Sequence, residues 1–436
     1  MLQPVAGTIH MGVQEQYPLD ISSIRDDFPI LDRNVGGDAS LRGESPDAAQ
    51  TLAYLDNAAT SHTPEPVVET IAEYYRSYNS NVHRGIHQLS QESSVAYEEA
   101  HDTVAEFIGA SGREEVIFTK NTTESENLIA YAWGLSELEE GDSVVLTEME
   151  HHASLVTWQQ IAKRTGAEVR YIRVGEDGHL DMDHARECID NSTQLVSAVH
   201  ISNTLGTINP IAQLSELAHE QGAYIFVDGA QSVPTRPVDV DELGADFLAF
   251  SGHKMLGPTG IGVLYGREEI LTEMDPYLYG GEMIRRVTFE DSTWEDLPWK
   301  YEAGTPVIAQ GIALESAIEY LEEIGMETVR DHEQFITEYA YESLSDIDGV
   351  EVYGPPGDNR GALVSFNIDG VHAHDLSSIL NDHGVAIRAG DHCTQPLHDK
   401  MGISASARAS FYLYSTVDEI DALVEGVTDA RDLFAL

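Results

Sequence analysis

Asp246-Phe-Leu-Ala-Phe250 runs into Ser251-Gly-His-Lys254 and then Gly257-Pro-Thr-Gly260, and this stretch decides how the chain reads. An apolar run gives way to a polar, glycine-flanked loop, as when a buried strand delivers side chains to the end of a parallel sheet. Lysine is scarce here, with Lys120, Lys163, Lys300 and Lys400 the only others, so Lys254 reads as retained for its chemistry. Similar runs occur at Glu115–Thr119, Ser143–Thr147, Glu168–Ile172, Leu195–Val199, Tyr224–Val227 and Gly262–Tyr265. Helical patterns lie between most of them, as at Ala153–Arg164 and Ile211–Gln221. Strand, loop and helix in alternation predict an α/β fold with a mostly parallel seven-stranded sheet covered by helices. Ligands of such sheets bind beyond the carboxyl ends of the strands.

The length of 436 residues favours more than one domain. Residues 51–305 read as a large ligand-binding domain and 306–436 as a small α+β domain. The latter has helical patterns at Ile308–Glu323, Met326–Leu344 and Thr416–Leu433, and short strands at Gly349–Tyr353, Ala362–Phe366 and Val385–Ile387. Residues 1–50 are expected to pack with the small domain. Within them Arg33–Gln50, rich in Gly, Asp, Ser and Pro, reads as an inserted surface loop.

Twenty-four Lys+Arg stand against 75 Asp+Glu, a net charge of −51, with the acids spread along the whole chain. So large a negative charge disfavours nucleic acid and anionic membrane as partners. It also strains a compact state by self-repulsion unless salt screens it, which points to a salt-loving cytoplasm. The 42% hydrophobic content sets the chain apart from disordered acidic proteins. No unbroken apolar run of about 18 residues occurs, and residues 1–20 lack the order of a signal peptide, so a cytoplasmic protein is expected. Cys188 and Cys393 cannot build a disulfide framework, and neither sits in a metal-binding pattern.

A loop lysine can form a Schiff base with an aldehyde cofactor, or simply be solvated. Tyr224-Ile-Phe-Val-Asp228-Gly-Ala-Gln231 weighs on the first reading, because a strand there ends in a carboxylate with an amide three residues later. Pyridoxal phosphate needs such a lysine and an acidic partner for its ring nitrogen. Thr119-Lys-Asn-Thr-Thr123 opens a helix after a strand, either a phosphate site or an ordinary N-cap threonine. Glu150-His151-His152 offers an imidazole to stack on a ring or move a proton; the alternative is two surface histidines. Ser202-Asn203 puts an amide beyond another strand, or is a turn. Cys393 lies in the polar loop Arg388-Ala-Gly-Asp-His-Cys-Thr-Gln-Pro396 and reads as a reactive thiol. Arg388, or His392 when protonated, would favour its thiolate, while Asp391 would oppose it. Cys188, in a helical run, reads as packing. Arg408, in Ala407-Arg-Ala-Ser410, is suited to a substrate carboxylate, against the alternative of a surface arginine.

Taken in order, Leu55-Asp-Asn-Ala-Ala59, Asn81–His87, Glu150-His-His-Ala153, Val227–Gln231, Ser251–Gly262, Glu302-Ala-Gly-Thr-Pro306, Arg388–Cys393 and Arg408-Ala-Ser410 resemble the Suf-type cysteine desulfurases of the class V aminotransferase group. The resemblance runs from about Leu19 to the C-terminus and implies the fold type I of pyridoxal-phosphate enzymes. It implies that Lys254 carries the cofactor, Asp228 pairs with its ring nitrogen, His151 stacks on the ring, and Gln231 and Asn203 bond the ring hydroxyl. It further implies phosphate contacts from Thr122, Thr123, Ser251 and His253, with Thr305 supplied across a homodimer. Arg408, with Arg388 nearby, would bind the carboxylate of L-cysteine, and Cys393 would take its sulfur as a persulfide while alanine leaves. A sulfur-acceptor protein and an iron–sulfur cluster scaffold are the implied partners; selenocysteine lyase chemistry, or a non-catalytic scaffold of cluster assembly, is the rival reading. The family usually has histidine where Asp391 stands, and an aspartate there opposes ionisation of its neighbour.

Overall fold

The computed structural model describes residues 17–35 and 50–434. These form two compact units, the larger comprising Thr63–Ser202 and Ile208–Glu323. The smaller takes in the described residues up to His62, the short segment Asn203–Thr207, and Ile324 onward.

Seven strands build the sheet of the larger unit: β1 (Val116–Thr119), β2 (Ser143–Thr147), β3 (Glu168–Ile172), β4 (Thr193–Val199), β5 (Tyr224–Asp228), β6 (Phe247–Ser251) and β7 (Gly262–Gly266). Their order is β1-β7-β6-β5-β4-β2-β3. Only β7 runs against its neighbours; β6, β5, β4, β2 and β3 pair parallel. All seven coincide with the runs read from sequence. Most strand positions are buried, which explains why these strands read as near-continuous apolar runs. Helices α1 (Gln88–Phe107), α2 (Thr122–Ile129), α3 (His152–Thr165), α4 (Ile211–Glu220) and α5 (Ile308–Ile324) belong to this unit, α5 except for its last residue. Trp133, Trp158, Phe226, Phe247 and Tyr301 lie in one core cluster with Ile117, Val144 and Leu264. Burial of a large aromatic stabilises by roughly 2–3 kcal/mol relative to exposure. This core therefore holds rigid the strand ends that present the polar residues.

The smaller unit has an antiparallel sheet of β8 (Val350–Tyr353), β9 (Leu363–Ile368), β10 (Arg388–Gly390) and β11 (Ser406–Ser410), in the order β8-β9-β11-β10. Helices α6 (Met326–Ser345), α7 (Ala373–Asp382), α8 (Gln395–Met401) and α9 (Val417–Phe434) accompany it. Ile336, Leu344, Phe366, Leu376, Ile420 and Leu423 pack in its core. The strand expected at Val385–Ile387 is shorter, Val385–Ala386, and lies outside the four-stranded sheet. Val385–Ala386 pairs parallel with Ala53–Tyr54, and β10 begins at Arg388 in the four-stranded sheet. The Arg25 guanidinium bonds Tyr414 O at 2.7 Å and Glu419 at 2.9 Å, anchoring the segment before the insertion. Of the insertion itself the ends are described, with Asn34 opposite Thr51 and Val35 opposite Gln50. The remainder lies outside the described residues.

Candidate active site

In the larger unit three strand ends and one helix start supply the polar residues. At the end of β6, Ser251 Oγ accepts the Thr122 amide at 2.9 Å and lies 2.8 Å from Thr122 Oγ1. The next three residues, Gly252–Lys254, form a single 3-10 turn that carries Lys254 out of the sheet, half-buried. His253 beside it is pushed down to about 4 by burial and by the Lys254 charge, so its imidazole is neutral at pH 7. Asp228 ends β5, 4% exposed, with its Oδ1 accepting the Ala230 amide at 2.9 Å. Burial raises its carboxyl pKa, while that hydrogen bond and the positive charge of Lys254 counter the rise. Asp228 and Lys254 are thus electrostatic neighbours although 26 residues separate them in sequence.

Helix α2 is capped by Asn121, whose Oδ1 accepts the Glu124 amide at 3.0 Å. The cap is therefore the asparagine rather than a threonine, which frees Thr122 to reach Ser251. Thr123 is exposed beside it. Amide donors, hydroxyls and a helix N-terminus make a site suited to a phosphate. Gly262 is what allows the close approach, since a Cβ there would lie 2.5 Å from Asn121 Cα. Beyond β2, the Glu150 carboxyl group accepts from Thr147 Oγ1 at 2.6 Å and from the Val199 amide at 2.9 Å, and His151 Nδ1 caps α3 through the Ala153 amide at 3.1 Å. Gln231 is half-buried and Thr305 exposed. An amine able to act as a nucleophile, a buried acidic group beside it and a helix end suited to a phosphate together fit a phosphorylated aldehyde cofactor.

The smaller unit holds the second group. Arg408, on β11, is 2% exposed; its Nη1 donates to Asn203 O at 2.8 Å and its Nη2 lies 3.6 Å from Asp56 Oδ1. Burial pulls its guanidinium down to about 10. A surface arginine it is not. Arg388 grips the same Asp56 with Nε at 3.1 Å and Nη2 at 2.8 Å, and this pairing raises its pKa. The Asn203 amide donates to His392 O at 2.6 Å, and its Oδ1 is buried with no hydrogen-bond partner among the described residues. Cys393 is exposed, and the cations in whose field it sits are Arg388 and Arg408.

His392 does not serve as expected. It is 6% exposed, and burial with the nearby Arg408 holds its pKa down to about 2. Its ring is neutral at any working pH and brings no positive charge to the thiol; Arg408 does so instead. Cys188 is buried, with His184 3.6 Å from its sulfur, and burial raises its thiol pKa, in line with a packing role. Asp56, which clamps both arginines, received no role from the sequence. The signal was present, since Leu55-Asp-Asn-Ala-Ala59 sets two polar residues inside an apolar run. Glu126 was also missed. It is fully buried, bonded by Trp158 Nε1 and Ser197, and raised well above the carboxylate range by burial and by Asp228. Among the described residues no cluster of three or more His, Cys, Asp or Glu could hold a metal, and no helix is long and apolar enough to cross a membrane.

Comparison with known proteins places this geometry among relatives. The aminotransferase class-V family model matches residues 53–423. A cysteine desulfurase of Haloferax volcanii is 71% identical over 426 residues, which is 98% of this chain and 100% of that one. A probable cysteine desulfurase of Halobacterium salinarum is 67% identical, covering 98% and 100%. Among solved structures, the apo cysteine desulfurase from Thermococcus onnurineus NA1 superposes with a TM-score of 0.87 at 39% identity, covering 95% of this chain and 98% of that one.

Proposed function

The chain belongs to the class V aminotransferase family, and from that premise we propose that it is a cysteine desulfurase, converting L-cysteine to L-alanine and retaining the sulfur on Cys393. The observation that carries this reading is the state of the two thiols: Cys393 is exposed in the field of two arginines, whereas Cys188 is buried. A transaminase or a simple lyase would have no task for such a cysteine.

The larger unit's donors fit pyridoxal phosphate, which when bound supplies an electron sink for loss of the substrate α-proton and cleavage of its carbon–sulfur bond. Lys254 Nζ would hold the aldehyde carbon and afterwards carry the proton. Asp228 would face the ring nitrogen, His151 the ring plane, and Gln231 and Asn203 the ring hydroxyl. Thr122, Thr123, Ser251 and His253 would hold the phosphate, joined by Thr305 from a second copy in a homodimer. Residues 51–305 would form the cofactor-holding part, with 306–436 carrying the cysteine. Arg408 would bind the substrate carboxylate, with Arg388 beside it. The Cys393 thiolate bonds to the substrate sulfur as the carbon–sulfur bond breaks; the electron pair stays with the carbon fragment, which takes up a proton and leaves as alanine. A sulfur-acceptor protein would then collect the persulfide for iron–sulfur cluster assembly.

The test is to incubate the cofactor-loaded protein with L-cysteine in concentrated salt, then measure alanine and the mass of the peptide containing Cys393. Alanine with one extra sulfur on Cys393, both absent in Lys254→Ala, is the expected result. Alanine released at the wild-type rate by Cys393→Ser would overturn the persulfide step and leave a lyase, of which selenocysteine is the substrate to try next. A protein that never takes up the cofactor would be a scaffold.

A further inference from the structure

The four residues Asp391-His392-Cys393-Thr394 join β10 to α8, and both central ones have positive φ, 50° at His392 and 60° at Cys393. The Thr394 amide closes the turn on Asp391 O at 2.8 Å. Two successive left-handed residues are the mark of the primed turn, which Asn-Gly ordinarily occupies because side chains crowd the backbone there. Neither central residue is glycine, so the local backbone disfavours the conformation and surrounding contacts must hold it.

Those contacts are specific. Thr394 Oγ1 donates to Asp391 O at 2.9 Å, His392 Nε2 lies 3.1 Å from Ser406 Oγ, and the Asn203 amide holds His392 O. They grip the turn on either side of the nucleophile. One bond reaches the peptide of Cys393 itself: its amide donates to Asp391 Oδ1 at 3.0 Å.

We propose that Asp391 is a positioning residue whose side-chain oxygen fixes the left-handed backbone of Cys393, so that the thiol is presented in one direction for sulfur transfer. The proposal rests on the sulfur-transfer reading above and reverses the expectation that the aspartate acts on the thiol through its charge. What the turn uses is one acceptor oxygen in the place where the family usually has an imidazole. Asparagine keeps that oxygen and discards the charge; alanine discards both.

Two measurements test this. In hydrogen–deuterium exchange of the substrate-free protein in concentrated salt, amides of the 391–394 segment should exchange about tenfold faster in Asp391→Ala and within about twofold of wild type in Asp391→Asn. In the cofactor-loaded enzyme, Asp391→Ala should lower kcat for alanine release about tenfold at a KM within about twofold, with cofactor absorbance unchanged and Asp391→Asn near wild type. Loss in Asp391→Asn equal to that in Asp391→Ala would assign the role to charge and overturn the proposal. Wild-type exchange and kcat in Asp391→Ala would overturn it as well. If the wild-type protein transfers no sulfur at all, the sulfur-transfer reading fails, while the exchange measurement still decides the turn.

Discussion

Gly262 shows how a single missing Cβ can shape a site. It opens β7, opposite Thr119 on one side and Ser251 on the other. A Cβ there would meet Asn121 Cα at 2.5 Å and Asn121 N at 2.7 Å, and both are backbone atoms that no rotamer change can move. Gly262→Ala should therefore destabilise the fold by about 1–3 kcal/mol, as overpacking does, and displace the start of α2. Denaturant unfolding together with titration of the apo protein with pyridoxal phosphate would show it; wild-type stability and affinity in the variant would refute it. Lys300 is a contrasting case. Its Nζ donates to Leu271 O and Thr272 O, both at 2.9 Å, closing the end of the helix Glu268–Glu273. Nothing near Lys300 in sequence announces this, because its partners lie 28 and 29 residues away. Lys254 was legible because the strand, glycines and histidine that define its setting are its immediate neighbours.

Helix α2 makes the same point one level up. Its start was readable, since a polar cluster follows an apolar run, yet Asn121, Thr122 and Thr123 can each cap, and a modest preference for Asn does not by itself fix the boundary. The fold assigns the cap to Asn121 and sends Thr122 to Ser251, 129 residues away. The Glu124 side chain also reaches back to the Lys120 amide at 2.6 Å, one residue before the cap, tying the incoming chain to the first turn. Asn121→Ala should lower stability by about 1 kcal/mol, whereas Thr122→Ala, which spares the cap, should chiefly weaken cofactor binding. Thermal unfolding and cofactor titration of both variants separate the two; equal loss of stability would sink the distinction. At β10 and β11 the sequence singled out Arg408 and Arg388 but not that they lie opposite each other, nor that Asp56 pairs with both. Pairing across a sheet depends on register, and register between distant segments is set by packing.

At the scale of the molecule the net charge of −51 makes self-repulsion a standing cost that salt screens, so stability must be compared at fixed high salt. Buried titratable groups then set its pH dependence. His62, His200, His253, His332 and His392 are held down to about 4, 3, 4, 4 and 2, chiefly by burial. Below pH 6.5 the unfolded chain takes up protons that the folded one refuses, so stability falls as pH falls. Glu150 runs the other way: burial raises it to about 8, so between pH 4.5 and 8 the folded chain keeps a proton that the unfolded chain releases, and stability falls as pH rises. Each fully perturbed group contributes a slope of up to about 1.4 kcal/mol per pH unit. The cofactor-free protein should therefore be most stable near neutral pH, with Glu150→Gln flattening the alkaline side. Melting temperatures measured from acid to alkaline pH test this, and an unchanged alkaline slope in the variant would count against it. By itself the sequence determined the α/β fold, its seven strands and the acidic character, and it singled out the lysine, aspartate and cysteine of the proposed chemistry, because periodicity and local polar motifs are short-range signals. Only the tertiary structure decided that Asp56 clamps two arginines, that His392 stays neutral beside the thiol and that Asp391 bonds the cysteine's amide, because burial, register and turn closure arise when distant segments meet.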